Sequence, residues 1–174
     1  VQIMDEPNHR SSHSKAIPRA GGVSIVITFF IGLTATWFMG ELDTIDKPLL
    51  YGFIFSTLLI SFISLVDDIY EQTAIVKGFT HMIAILVVLY FGIVLDELSM
   101  PVFENVKLGW FGYVISFFWI LGLTNTYNFM DGLDGLAGGV AVIASLFFMS
   151  ISYYQGSSFV YIISYSLLAG ALGF

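Results

Sequence analysis

Two adjacent carboxylates, Asp67 and Asp68, follow directly on an apolar run that ends at Val66. Side by side at the edge of an apolar environment they repel each other and resist desolvation, so a neutralising cation is favoured there. Hard oxygen donors suit Mg²⁺, and either carboxylate could act as a base toward a phosphate or hydroxyl. A solvated loop that merely stops a helix is the plainer reading of the pair. A second constellation runs from Asn125 to Gly139, with Asn125, Asn128, Asp131 and Asp134 at every third position and Gly132, Gly135, Gly138 and Gly139 beside them. On a helix a step of three turns about 300°, so successive members lie about 60° apart and form a drifting stripe. Asn128 with Asp131, or Asp131 with Asp134, can converge on one ligand, and the glycines let a ligand or a helix approach the backbone. Two amides and two carboxylates against an apolar background make a purely structural glycine-rich turn the weaker reading.

A third segment, residues 5–22, mixes Arg10, Lys15 and Arg19 with Gly21 and Gly22. Cations beside exposed backbone suit the oxygens of a diphosphate. Taken singly, each cation is equally an anchor for the helix that follows. Lys77 could offset the Asp67–Asp68 charge or bind phosphate, or simply reach the membrane interface. His9, His13 and His81 have no spacing that suits a metal, and read as surface or interfacial residues.

These groups need apolar elements to hold them. Of 174 residues, 57% are hydrophobic, 17% aromatic and only 11% charged, with a mean hydropathy of +0.87. Soluble domains carry roughly a quarter charged residues, so water is not the main solvent of this chain. Six Lys and Arg leave no footprint for nucleic acid, and the absence of Cys excludes disulfides and thiolate chemistry. A bilayer core takes about 20 apolar residues per helix. Six runs qualify or nearly do: 23–40, 48–66, 79–95, 111–123, 136–154 and 158–174, the fourth being short unless it extends into the interface. The expected fold is all-α, a polytopic membrane protein of about six transmembrane helices forming one integral-membrane domain over 1–174.

If every run crosses, the polar segments 1–22, 67–78 and 125–135 share one face. That face carries Arg10, Lys15, Arg19 and Lys77, against Lys47 and Lys107 opposite. The bias points to the first face as cytoplasmic. All three chemical segments fall on it, an outcome fixed by crossing number alone.

Together the three segments resemble the polyprenyl-phosphate N-acetylhexosamine-1-phosphate transferases, the superfamily of phospho-N-acetylmuramoyl-pentapeptide transferase. Pro7-Asn8, Arg10-Ser11-Ser12-His13 and Pro18-Arg19-Ala20-Gly21-Gly22 are similar to the first cytoplasmic signature of that family. Asp67-Asp68 resembles its paired-aspartate motif, and Asn128-Phe129-Met130-Asp131-Gly132-Leu133-Asp134-Gly135 its most specific one. The Arg-Ser-Ser-His form is similar to the branch that acts on UDP-linked acetamido sugars for O-antigen or related glycans.

The resemblance implies Mg²⁺-dependent transfer, with Mn²⁺ the alternative ion, from a UDP-N-acetylhexosamine to undecaprenyl phosphate with release of UMP. It implies Asp67 or Asp68 at the lipid phosphate, and Asp131 with Asp68 at the metal. Gly132, Leu133 and Asp134 would contact the uridine, Asn128 would brace the site, and Lys15, Lys77 and Arg19 would face the phosphates. A two-step route through an aspartyl-phosphate stays open. It further implies a multi-pass protein of the bacterial inner membrane, in contact with membrane lipid and with a homodimer as a candidate assembly. Ala20 departs from the usual glycine triplet, and His81 lies near where Gln is common. An N-terminal helix, later helices, a further metal-binding Asp and a His-rich loop of the family are not in this sequence, so the chain reads as an incomplete, inactive piece of a longer bundle.

Charge supports the same reading, since two like charges 4 Å apart cost about 4 kcal/mol at an effective dielectric of about 20. Other lipid-phosphate enzymes fit less well. Glu71 stands where an Asp-Asp-x-x-Asp prenyltransferase motif needs Asp, and Gly138 follows Ala137 where a CDP-alcohol phosphotransferase needs an Ala-Arg pair. A cation- or proton-coupled transporter is the rival of another class, but its acids usually lie mid-helix rather than at helix ends.

Overall fold

A computed structural model describes residues 4–5, 17–18, 21–40, 45–70, 72–99, 105–130 and 135–173. Six helices lie among them: α1 (Gly21–Phe38), α2 (Lys47–Tyr70), α3 (Ala74–Tyr90), α4 (Trp110–Met130), α5 (Leu136–Gln155) and α6 (Ser158–Leu172). The all-α expectation holds, with each predicted run found as a helix. Two short antiparallel ribbons add to it: β1 (Met4–Asp5) pairs with β2 (Ile17–Pro18), and β3 (Glu97–Leu98) with β4 (Val106–Lys107). In the second ribbon Glu97 stands opposite Lys107, an opposite-charge pairing that favours this register.

Helix ends differ from the hydropathy runs in an informative way. The α2 helix continues through Asp67 and Asp68 to Tyr70, and α4 continues through Asn125 and Asn128 to Met130. Both polar motifs therefore begin inside helices, not in the loops after them. The α3 helix starts at Ala74, earlier than its apolar run, because Thr73 caps it: the Thr73 hydroxyl accepts from Val76 N.

The chain falls into two compact units. One contains 1–46, 65–71 and 127–174, and so α1, α5, α6 and the last turns of α2 and α4. Here α6 packs against both α1 and α5. Its buried residues, Ser164, Ser166, Gly170 and Ala171 beside Ile162 and Leu168, are mostly small. Such residues let helix backbones come close. A Cβ at Gly170 would sit 3.0 Å from the Ile25 carbonyl oxygen, and one at Gly32 would sit 2.7 Å from Ser166 Oγ. The backbone at Ile25 cannot turn aside as a side chain can. Gly170→Leu is therefore expected to destabilise this unit by about 1–3 kcal/mol, as overpacking does. A thermal melt in detergent checks it: a lowered midpoint is expected, and an unchanged one would show that α1 and α6 do not meet there.

The other unit contains 47–64 and 72–126. Ser56 Oγ of α2 donates to the Ala84 carbonyl of α3 at 3.2 Å, joining two buried positions. Leu95 N donates to Ser116 Oγ of α4 at 2.9 Å. Gly52 accepts the Phe91 side chain closely, and Gly112 the Leu95 carbonyl.

Both units are built inside-out by the standards of a protein in water. Large apolar side chains in mid-helix face outward, including Phe62 (63% exposed), Trp119 (68%) and Phe147 (65%), while serines are buried. Hydroxyls bond their own helix backbone: Thr57 to Phe53 O, Thr124 to Ile120 O, Ser150 to Leu146 O. That satisfies donors where no water is at hand. Two helices, α2 and α5, are long and apolar enough to cross a bilayer, and only 17% and 11% of their apolar windows are buried. A core helix of a soluble domain would be mostly covered.

Candidate functional site

Asp67 and Asp68 are half-buried in the last turn of α2. A helix C-terminus carries partial negative charge, so each carboxylate there is unfavourable by about 0.3–1 kcal/mol. No basic residue lies in that last turn. At the other end of α2, Lys47 occupies the first position, where a cation is also disfavoured. The helix thus opposes its own dipole at both termini.

Asn128 is exposed in the last turn of α4 and belongs to the same compact unit as Asp67 and Asp68. Asn125 lies one turn earlier and is committed locally, its Nδ2 donating to the Leu121 carbonyl at 3.0 Å. Asp131, Gly132, Leu133 and Asp134 lie outside the described residues, as do Lys15 and Arg19. Among the described residues no group of three or more His, Asp or Glu is placed to hold a metal. The described donor set suits Mg²⁺ in kind, two adjacent hard carboxylates, and the remaining proposed donor, Asp131, falls outside it.

The segment after Asp134 leads into an open helix start. Gly135 takes the left-handed backbone conformation, φ 72°, with no side-chain cap on α5. A Cβ at Gly138 or Gly139 would meet nothing within 4 Å. There is open space beside the backbone at the start of α5, at Gly138 and Gly139. Lys77 stands half-buried in the first turn of α3, in the other unit. Its neighbour His81, expected from sequence to be surface or interfacial, is half-buried and shares a helical stripe with Lys77, Thr80, Ala84 and Ile85.

Apolar helices with small residues inward and large ones outward define a membrane protein, here one with carboxylates and amides at helix ends. The chain belongs to glycosyl transferase family 4, whose signature matches residues 50–174. It is 31% identical over 175 residues to the probable undecaprenyl-phosphate N-acetylglucosaminyl 1-phosphate transferase of Bacillus subtilis, covering 100% of this chain and 47% of that one. The undecaprenyl-phosphate alpha-N-acetylglucosaminyl 1-phosphate transferase of Thermotoga maritima is 31% identical over 152 residues, 84% of this chain and 42% of that one. The phospho-N-acetylmuramoyl-pentapeptide-transferase of Listeria monocytogenes is 41% identical over 81 residues, 45% of this chain and 25% of that one. The chain spans less than half the length of these curated relatives. No solved structure matches it.

Proposed function

We propose that the protein containing this chain transfers N-acetylhexosamine-1-phosphate from a UDP-sugar to undecaprenyl phosphate and releases UMP. The observation that carries the reading is the adjacent Asp67–Asp68 carboxylate pair in the final turn of α2, inside the region that matches the family. The names of the relatives supply the donor and acceptor classes.

The chemistry needs one phosphorus–oxygen bond made and one broken. An oxygen of the lipid phosphate attacks the β-phosphorus of the UDP-sugar, the bond between the β-phosphorus and the bridging oxygen breaks, and UMP leaves carrying that oxygen on its α-phosphorus. Asp67 or Asp68 orients the lipid phosphate and takes any proton it carries. Asn128 braces the site, Gly132, Leu133 and Asp134 hold the uridine, and Lys15, Arg19 and Lys77 pair with phosphate oxygens. Asp68 and Asp131 would hold Mg²⁺, or Mn²⁺, which supplies charge neutralisation between the two phosphates. The test is UMP release from a panel of UDP-acetamido sugars by the full-length protein in detergent with undecaprenyl phosphate. Lipid-dependent release supports the reading; folded protein that releases no UMP from any donor overturns it.

The same reading places the protein in the bacterial inner membrane, crossing it with all six helices and meeting both substrates at the cytoplasmic face. This chain contributes no Cys of its own, so single reporters placed in it are read in a protein cleared of any Cys elsewhere. Thr73→Cys is expected to react with an impermeant thiol reagent only in inverted vesicles, and Ser99→Cys only in right-side-out ones. Labelling of both from one side would contradict this topology.

A further inference from the structure

The β3–β4 ribbon lies between α3 and α4 in sequence and belongs to the same compact unit. Cross-strand partners share a face, and neighbours along a strand alternate. Leu98 and Val106 therefore form one face of the ribbon, and Glu97 and Lys107 the other. Both faces are exposed, Leu98 by 38% and Val106 by 46%. The sequence between the strands includes Met100, Val102 and Phe103, whereas Gly, Asn, Asp and Ser favour turns in water. Two residues per strand do not make a ribbon stable by pairing alone. Leu108 N donates to the Asp96 carbonyl at 2.9 Å at its root, and α4 holds that root in place. There Leu95 N donates to Ser116 Oγ, and the Leu95 carbonyl lies against Gly112.

That attachment fixes the height of the ribbon. Gly112 lies two residues, about 3 Å along the axis, inside Trp110 at the start of α4. From Leu95 at that level, Leu98 is three residues away and reaches at most about 10 Å when fully extended. Leu98 and its partner Val106 therefore stand no more than about 7 Å beyond the helix end. The headgroup layer on each side of a bilayer is about as thick, the core being about 30 Å and the whole about 40–45 Å. Tyr90 and Trp110 stand exposed where α3 ends and α4 begins, and such side chains favour this layer.

We propose that the Leu98–Val106 face of the ribbon lies on lipid, in the leaflet opposite the cytoplasmic face, with Glu97 and Lys107 turned to water. The assignment rests on the six-crossing topology proposed above. The opposite orientation would set two charges against the acyl boundary and two apolar side chains in water, the costlier arrangement on both counts. Lipid is the occupant because the pair continues the membrane-facing surface of Tyr90 and Trp110. Two side chains also fall far short of the roughly 800 Å² per partner that a specific protein interface buries.

Spin labels test this in the full-length protein, cleared of other Cys and reconstituted in phosphatidylcholine vesicles. Leu98→Cys, Val106→Cys, Glu97→Cys and Lys107→Cys each carry one label. Electron paramagnetic resonance then reads its access to oxygen, which partitions into lipid, against its access to a water-soluble nickel chelate. Oxygen is expected to dominate at 98 and 106 and the chelate at 97 and 107, so the logarithm of the ratio changes sign between the faces. Chelate access at all four would put the ribbon in water, and exclusion of both reagents from 98 and 106 would put protein over that face. Either result overturns the proposal. If Leu98→Cys fails to fold, Val106→Cys decides alone on the same criterion. The ratios report depth whichever side the ribbon occupies, so failure of the topology shows separately, as labelling of Ser99→Cys from the cytoplasmic side.

Discussion

Asp68→Asn and Asp131→Asn, each made in the full-length protein, are expected to remove turnover while leaving the protein in the membrane. The substitution keeps size and polarity but deletes a negative charge and a base. Loss of one preorganised electrostatic contact at a phosphoryl centre costs about 10²–10³-fold in kcat, and a carboxylate that both orients the lipid phosphate and faces a metal should cost at least that. Stability should move the other way at Asp68. The carboxylate lies in the last turn of α2, the negative end of the helix dipole, and its removal relieves about 0.3–1 kcal/mol of unfavourable interaction with that dipole. A variant that is inactive yet melts no lower than the parent separates a site residue from a structural one. Near wild-type rates for either variant would show that the carboxylate is not used.

Removal of divalent ions is the second large effect. EDTA is expected to reduce UMP release to background, and added Mg²⁺ to restore it, with Mn²⁺ restoring part. The reason lies in charge: Asp67 and Asp68 are neighbours in one turn, and two phosphate-bearing substrates must approach them. Without a divalent cation the carboxylates and the phosphates repel one another. The melting curve should change little, because α1, α5 and α6 hold their unit through small-residue packing that needs no ion. Full activity in EDTA would contradict a metal role for Asp68 and Asp131.

The helices were legible in the sequence because a bilayer demands long apolar runs, and such runs leave little ambiguity. Their ends were less so. Hydropathy falls at Asp67 and at Asn125, but hydrogen bonding does not, so α2 and α4 run past the points where apolar character stops. The ribbon of Glu97–Leu98 with Val106–Lys107 is too short for periodicity to announce. In the candidate site, residue types and spacing named Asp67, Asp68 and Asn128, and the structure gathers these into one compact unit. What spacing by itself did not draw out was the inward stripe of α3. A lone His among apolar residues reads as incidental until Ala84 and Ile85, on the same face, are seen to be buried.

The measurement that bears most directly on sugar-1-phosphate transfer follows the β-phosphorus. Full-length protein in detergent, with Mg²⁺ and undecaprenyl phosphate, would be given a UDP-N-acetylhexosamine labelled at that atom, and the label traced between aqueous and lipid phases. Transfer of the phosphosugar predicts label in the lipid phase in step with UMP in the aqueous phase, both absent without undecaprenyl phosphate. Label retained in water as UDP while the sugar enters the lipid would mean ordinary glycosyl transfer and contradict the proposed reaction.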